Sequence, residues 1–308
     1  MTITLRERAE EYLQLRRGLG FTLAETEILL MQFISHLESI GATAITIDEA
    51  VSWARLPVTA SPAWWRRRLM VVRLFARHLQ ALDPTTQVPP AGLLRYGRDR
   101  IPPHLYSRDE IDRLIRAVSE SFVQPLRVAT YRCVIGLLAV TGMRVGELVR
   151  LDRADVDLAA GIVTILNSKH GGSRQVLLHP TTISALNEYA QLRDRTVGSN
   201  GATAFFQSTQ GRLIVNTMDY TFAHLVHRAR ILTTPGVRPP RLHDFRHTFA
   251  VTTLLEWYRA GVDVQSRLPV LSTWLGHANP ASTYWYLEAS PELLALAAGR
   301  LAQSTDGA

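Results

Sequence analysis

Four short stretches of this chain carry side chains able to handle a phosphate. They are "TGMRVGEL" (141–148), "NSKHGGSR" (167–174), "HDFRHTFA" (243–250) and "LGHANPASTYWYL" (275–287). Between them they hold Arg144, Lys169, His243, Arg246, His277 and Tyr286. Guanidinium groups grip phosphate oxygens in pairs, imidazoles move protons near neutral pH, and a tyrosine hydroxyl can serve as a nucleophile. The lysine stands out by composition. It is the only one in 308 residues, and the other 33 of the 34 basic side chains are arginine.

Taken singly the stretches are unequal. A second His-x-x-Arg pair occurs at His227 and Arg230, and residues three apart share a helix face, so that spacing alone is a weak sign. A lone tyrosine is more often a core or interface residue than a nucleophile. Taken together and in this order, the four stretches resemble the tyrosine recombinase (phage integrase) family, in its compact two-domain form, Xer-like or transposon-type. The resemblance implies a catalytic arginine at Arg144, a His-x-x-Arg motif at His243 and Arg246, and a third motif giving His277 and the nucleophile Tyr286. Lys169, between two β-rich segments, matches the family's mobile catalytic lysine. His227 and Arg230 match nothing in that pattern.

The chemistry of these side chains agrees with the resemblance. Breaking a phosphodiester without a metal requires a nucleophile, charge neutralisation on the phosphorane and an acid for the leaving oxygen. Arg144 and Arg246 can hold the non-bridging oxygens in the bidentate way that ammonium groups cannot, which places positive charge where negative charge develops. His243 can accept the tyrosine proton and His277 can donate to phosphate. The leaving 5′ oxygen needs a proton that arginine holds too tightly and lysine, near pKa 10.4, releases more readily. An arginine-biased chain thus has a reason to keep one lysine.

Some features depart from the pattern or compete with it. The interval from His243 to His277 contains "EWYRAGVDVQSRLPVLSTW" and is long for a compact family member. Tyr284 is a rival nucleophile two residues before Tyr286. Glu147 and Asp244, beside Arg144 and His243, fit orienting or structural pairing better than catalysis.

The elements that must position these residues differ between the two ends of the chain. Residues 1–83 read as four helices: one halting at Gly18 and Gly20, a second ending near Gly41, a third opened by the Thr46–Glu49 capping box, and a fourth capped by Ser61 with Pro62 in its first turn. In the fourth, Arg66, Arg73 and Arg77 fall on one face, and Trp65, Leu69, Val72 and Ala76 on another. Residues 84–105, rich in proline and carrying Arg95 and Arg98, read as a basic linker. Ser107 and Glu110 form a further capping box, and a buried helix ends at Gly142. Segments 161–166 and 175–178 form a hairpin around Lys169, with Arg174 at its return. Mainly helix follows Pro180, with a short strand possible at "TAFF". After Tyr286, Leu293, Leu294 and Leu296 make an apolar strip on a helix opened by Ser290.

The expected fold is therefore mainly α with a small β-sheet. The resemblance implies a helical core-binding (SAM-like) domain at 1–83, the linker at 84–105, and a mixed α/β catalytic domain at 106–308. Charge is uneven: residues 1–50 carry four arginines against eight acids, and residues 51–100 nine against two. Such a basic stretch suits a polyanion, although a genome biased towards arginine would give the same count. Arg66, Arg73, Arg77, Arg95, Arg98 and Arg174 are the expected DNA contacts. The single Cys133 can form no intrachain disulfide and reads as a small buried hydrophobe. No apolar run reaches the roughly 18 residues that span a bilayer, and the first residues lack the apolar core of a signal peptide.

The resemblance implies a site-specific DNA recombinase working through a 3′-phosphotyrosyl link, with no metal or other cofactor. Its partner would be a double-stranded recombination site, bound by a homo-tetramer or a hetero-tetramer with related recombinases, and the free protein would be a monomer or dimer in the cytoplasm. The compact form implied by the resemblance is expected to lack an arm-binding domain ahead of residue 1, as in the simple recombinases. The apolar strip after Tyr286 would dock on a neighbouring protomer or on its own domain. A type IB topoisomerase-like enzyme and a DNA-binding regulator that has lost cleavage are the competing functions.

Overall fold

The computed structural model describes residues 3–94, 102–166, 172–198, 203–231, 238–277, 283–284, 286 and 292–295. Its chain divides into two compact units, Met1–Asp99 and Arg100–Ala308. The fold is mainly helical with small antiparallel sheets.

The first unit is built from four helices: α1 (Leu5–Gly18), α2 (Ala24–Ser39), α3 (Ile47–Arg55) and α4 (Pro62–Gln80). The sequence starts three of them in the same way. Thr4 with Glu7 and Thr46 with Glu49 form complete capping boxes, and the Ser61 side chain accepts from the Trp64 amide, so orphan amides of the first turns are satisfied. Phe33, Ile34, Leu37, Val72, Phe75 and Ala76 are fully buried between the helices. Arg68 is drawn inside as well. Its guanidinium lies 3.7 Å from the centre of the Trp53 ring and donates to the Trp53 carbonyl at 2.9 Å. Residues of the expected linker run back along this unit: Arg73 donates to the carbonyls of Pro89 and Pro90, at 2.7 and 2.8 Å.

The second unit begins with α5 (Arg108–Ser121), capped by Ser107 and Glu110, and α6 (Pro125–Thr141), followed by the short α7 (Val145–Arg150). Three strands, β1 (Val156–Asp157), β2 (Ile162–Ile165) and β3 (Arg174–Leu177), form an antiparallel sheet in sequence order. The β2–β3 pair is the expected hairpin, in a register that sets Ile165 opposite Arg174. Strand β1 was not expected; two residues are too few to show a period. Helix α8 (Pro180–Val197) packs on α6. The expected strand at "TAFF" is reduced to a bridge between Ala204 and Asp152, and β4 (Gln207–Ser208) with β5 (Gly211–Arg212) follows it. Helices α9 (Val215–Arg228), α10 (Asp244–Arg259) and α11 (Val264–Leu275) complete the unit. Its core gathers Val134, Leu138, Leu148, Val163, Phe222 and Phe245, and the Tyr106 ring stacks on Phe245 at 4.3 Å.

Gly142 ends α6 in the left-handed region, at φ +63. A Cβ there would meet the Phe249 ring at 2.6 Å. Gly142→Ala combines a left-handed alanine with overpacking and is expected to destabilise the protein by about 2–4 kcal/mol. Thermal or denaturant unfolding measures this. Leu293 is buried against Ala250, Leu254 and Val264 of its own chain, while Leu294 is half exposed. Cys133 is half-buried, and burial pushes its thiol up to about 12.

Candidate active site

Three chain reversals build the site: the α6–α7 corner, the start of α10 and the end of α11. Arg144 caps α7 from an extended conformation immediately after the Gly142 turn. Its amide donates to one Glu147 oxygen at 2.9 Å and its Nη1 to the other at 2.7 Å. Its Nη2 donates to the Gly276 carbonyl at 3.1 Å. Glu147 also receives Arg174, with Nη2 at 2.7 Å and Nη1 at 3.2 Å. Burial works against the Glu147 charge, yet the bonds from Arg174 and Arg144 outweigh it and hold the carboxyl at about 2. Glu147 therefore orients Arg144, as its spacing suggested.

Arg246 lies in the first turn of α10 and is almost fully buried. It donates to the Gly142 carbonyl at 3.0 Å and to the Leu275 carbonyl at 2.6 Å, which ties all three corners together. Burial lowers this guanidinium to about 10, so it stays charged at neutral pH. Its charge also acts on the Tyr286 hydroxyl. Tyr286 is buried, which raises its pKa, while Arg246 and Arg144 act in the opposite direction. The Tyr286 ring lies parallel to His277, with centroids 5.9 Å apart, and His277 Nδ1 is 2.8 Å from the Thr283 hydroxyl. Tyr284, the rival nucleophile, is 47% exposed.

Arg144, His243, Arg246, His277 and Tyr286 thus come together in one chain. Lys169 lies outside the described residues, as do Arg95, Arg98 and Leu296. Arg66 and Arg77 are exposed on α4, and Arg73 is half-buried on the Pro89 and Pro90 carbonyls. Arg174 is turned inward, its side chain 8% exposed, with Nε donating to the Trp274 carbonyl at 2.7 Å. Asp244 accepts from the Arg238 guanidinium and the Arg241 amide at 2.7 and 2.9 Å, which secures the corner beside His243.

Sequence reasoning missed His247. Its ring stands edge-on to His243 at 5.2 Å and 5.5 Å from Tyr286. The signal was available, since positions 243 and 247 share a helix face. Burial, reinforced by the surrounding arginines, holds His243 and His277 at about 4. Burial, with His243 next, holds His247 at about 3. All three imidazoles are neutral at pH 7, which leaves a ring nitrogen on His243 able to take a proton.

An acid response follows from these values. Unfolded histidines titrate near about 6.5. Between pH 6.5 and 4 the unfolded chain binds protons that the folded chain refuses, so stability is complete above that window and falls as pH drops through it. The Glu147 contribution is lost in turn, between its ordinary 4.5 and about 2. A melting series from pH 7 to pH 3 is expected to show a falling midpoint, with His247→Gln flattening the upper step.

The fold and this cluster define a class. Residues 105–292 match the phage integrase family, and the chain belongs to that family, the tyrosine recombinases. Among its relatives, an integrase/recombinase of Sinorhizobium fredii (strain NBRC 101917 / NGR234), y4rB, is 42% identical over 304 residues, 97% of each chain. The tyrosine recombinase XerC of Pelobacter propionicus (strain DSM 2379 / NBRC 103807 / OttBd1) is 29% identical over 92% of this chain and 90% of that protein. Among solved structures, the Tn1549 transposon integrase in complex with transposon right end DNA matches with a TM-score of 0.66 at 16% identity, over 91% of this chain and 94% of that one. A lambda integrase dimer bound to a COC′ core site matches at 0.63 and 20% identity, over 92% and 77%. At these identities the two structures share the fold.

Proposed function

We propose that this protein is a site-specific DNA recombinase that cuts and rejoins DNA through a phosphotyrosyl link to Tyr286. The observation that carries the reading is the buried Tyr286, whose ring lies against His277 and His247 and whose hydroxyl feels the charges of Arg246 and Arg144. A phosphate entering this cluster would meet two guanidiniums whose positions are already fixed by backbone carbonyls and Glu147, so little reorganisation remains at the moment of reaction.

In the proposed reaction the Tyr286 oxygen attacks phosphorus and its proton passes to the neutral His243. The bond to the 5′ oxygen breaks, and Lys169 supplies the proton that oxygen needs. A 3′-phosphotyrosine and a free 5′ hydroxyl result. The 5′ hydroxyl of an exchanged partner strand then attacks the phosphotyrosine and restores tyrosine. Each step replaces one phosphate ester with another, so no ATP is consumed, and Arg144, Arg246 and Lys169 supply the charge neutralisation and the proton from the chain itself.

The substrate is double-stranded DNA. Support comes from the family, from the uneven arginine distribution and from structural neighbours solved on DNA, among them a lambda integrase tetramer bound to a Holliday junction. The first unit acts as the core-binding domain, with Arg66 and Arg77 facing phosphates, and residues 84–105 link it to the catalytic domain. Four protomers on two sites form the working assembly in the cytoplasm, associated with the nucleoid; among the described residues no helix is long and apolar enough to cross a membrane. Two DNA sites with distinguishable flanks test the function. Recombinant product is expected, whereas relaxation of supercoils with no recombinant would assign a topoisomerase instead.

A further inference from the structure

We propose that Arg174 is a positioning residue for cleavage rather than a DNA contact, an inference that rests on the recombinase reading above. Its guanidinium joins three segments that are remote in sequence. It starts on β3, at the return of the hairpin. Both of its terminal nitrogens reach Glu147, 27 residues away, and its Nε reaches the Trp274 carbonyl, 100 residues away. The fork of an arginine fits this task because a bidentate grip on a carboxylate leaves Nε free for a third bond.

The neighbourhood is shaped around that guanidinium. Gly276 sits at φ +66, and a Cβ there would lie 2.5 Å from Arg174 Nη1. The carbonyl of the same Gly276 accepts Arg144 Nη2. Arg174 therefore packs against the residue that holds Arg144 on one side and leads into His277 on the other. It also shares Glu147 with Arg144. A carboxylate beside the scissile phosphate would repel it unless offset. Arg174 supplies the offsetting charge and leaves Arg144 directed at the substrate.

Arg174→Gln removes the fork and the charge, and Arg174→Lys keeps the charge but cannot reach Glu147 twice and Trp274 together. The measurements are binding of each variant to a nicked recombination site over a range of salt, and single-turnover formation of the covalent adduct. Affinity within about threefold of wild type and an unchanged salt slope are expected, which also shows that the variants fold. Cleavage should fall by about 10²-fold for Arg174→Gln, the cost of a small misplacement of catalytic groups, and by less for Arg174→Lys. A substrate whose scissile phosphate carries a methyl in place of a charged oxygen needs less neutralisation, so there the Arg174→Gln loss should shrink; a merely structural defect would persist unchanged. Cleavage at the wild-type rate, or a salt slope lower by about one, as for a lost phosphate contact, overturns the proposal while leaving the recombinase reading intact. A wild-type protein that forms no adduct overturns both.

Discussion

Lys169→Arg is expected to slow DNA cleavage by about 10²–10⁴-fold, the usual worth of a general acid, with DNA affinity unchanged. The two side chains carry the same charge and differ in how firmly they hold the proton. Arginine stays protonated beyond pH 12, and a lysine ammonium titrates near 10.4. If the role is proton delivery to the 5′ oxygen, arginine at this position grips the phosphate but leaves the departing alkoxide unprotonated. A substrate with sulfur at the 5′ bridging position isolates the point, because a thiolate leaves without a proton. On that substrate Lys169→Arg and wild type are expected to cleave at similar rates. Full activity of Lys169→Arg on the ordinary substrate would show that the lysine is dispensable.

Arg246→Gln is expected to lower cleavage by at least about 10²–10³-fold, the scale for removing one preorganised transition-state donor. It should also lower stability. Arg246 satisfies the Gly142 and Leu275 carbonyls inside the protein, and each buried acceptor left without its donor costs about 1–3 kcal/mol. The loss of a buried cation offsets part of that, so the unfolding midpoint should fall by less than the bond count suggests. Arg246→Lys keeps the charge, but three donors on one nitrogen cannot reach both carbonyls, Tyr286 and a phosphate. It is expected to recover little cleavage. Single-turnover adduct formation and thermal melting separate the chemical loss from the structural one.

What the sequence shows and what it hides follow a physical division. Local signals were readable: the capping boxes at Thr46–Glu49 and Ser107–Glu110, the serine cap and proline opening α4, the glycine that stops α6, and both strands of the hairpin to within a residue. Each depends on side chains within four positions of one another. The order of the motifs also picked out Arg144, His243, Arg246, His277 and Tyr286, which the fold brings together. The pairing of Arg174 was not readable, because its partners Glu147 and Trp274 lie 27 and 100 residues away, and nothing local marks an arginine beside a hairpin as turned inward. Arg73 is similar: its helix face suggests DNA, and its bonds to the carbonyls of Pro89 and Pro90, 16 and 17 residues away, are not legible locally. His247 was passed over because His243 and Arg246 already filled the motif, although its ring touches both His243 and Tyr286.

The central claim is that Tyr286 becomes joined to DNA, and one measurement tests it directly. The protein is incubated with a nicked recombination site that traps the cleaved strand, and the DNA-linked peptide is isolated and sequenced. The account predicts a covalent complex whose modified residue is Tyr286, a complex absent with Tyr286→Phe and still formed with Tyr284→Phe. An adduct that survives Tyr286→Phe, or no adduct on a site the protein binds, would contradict it.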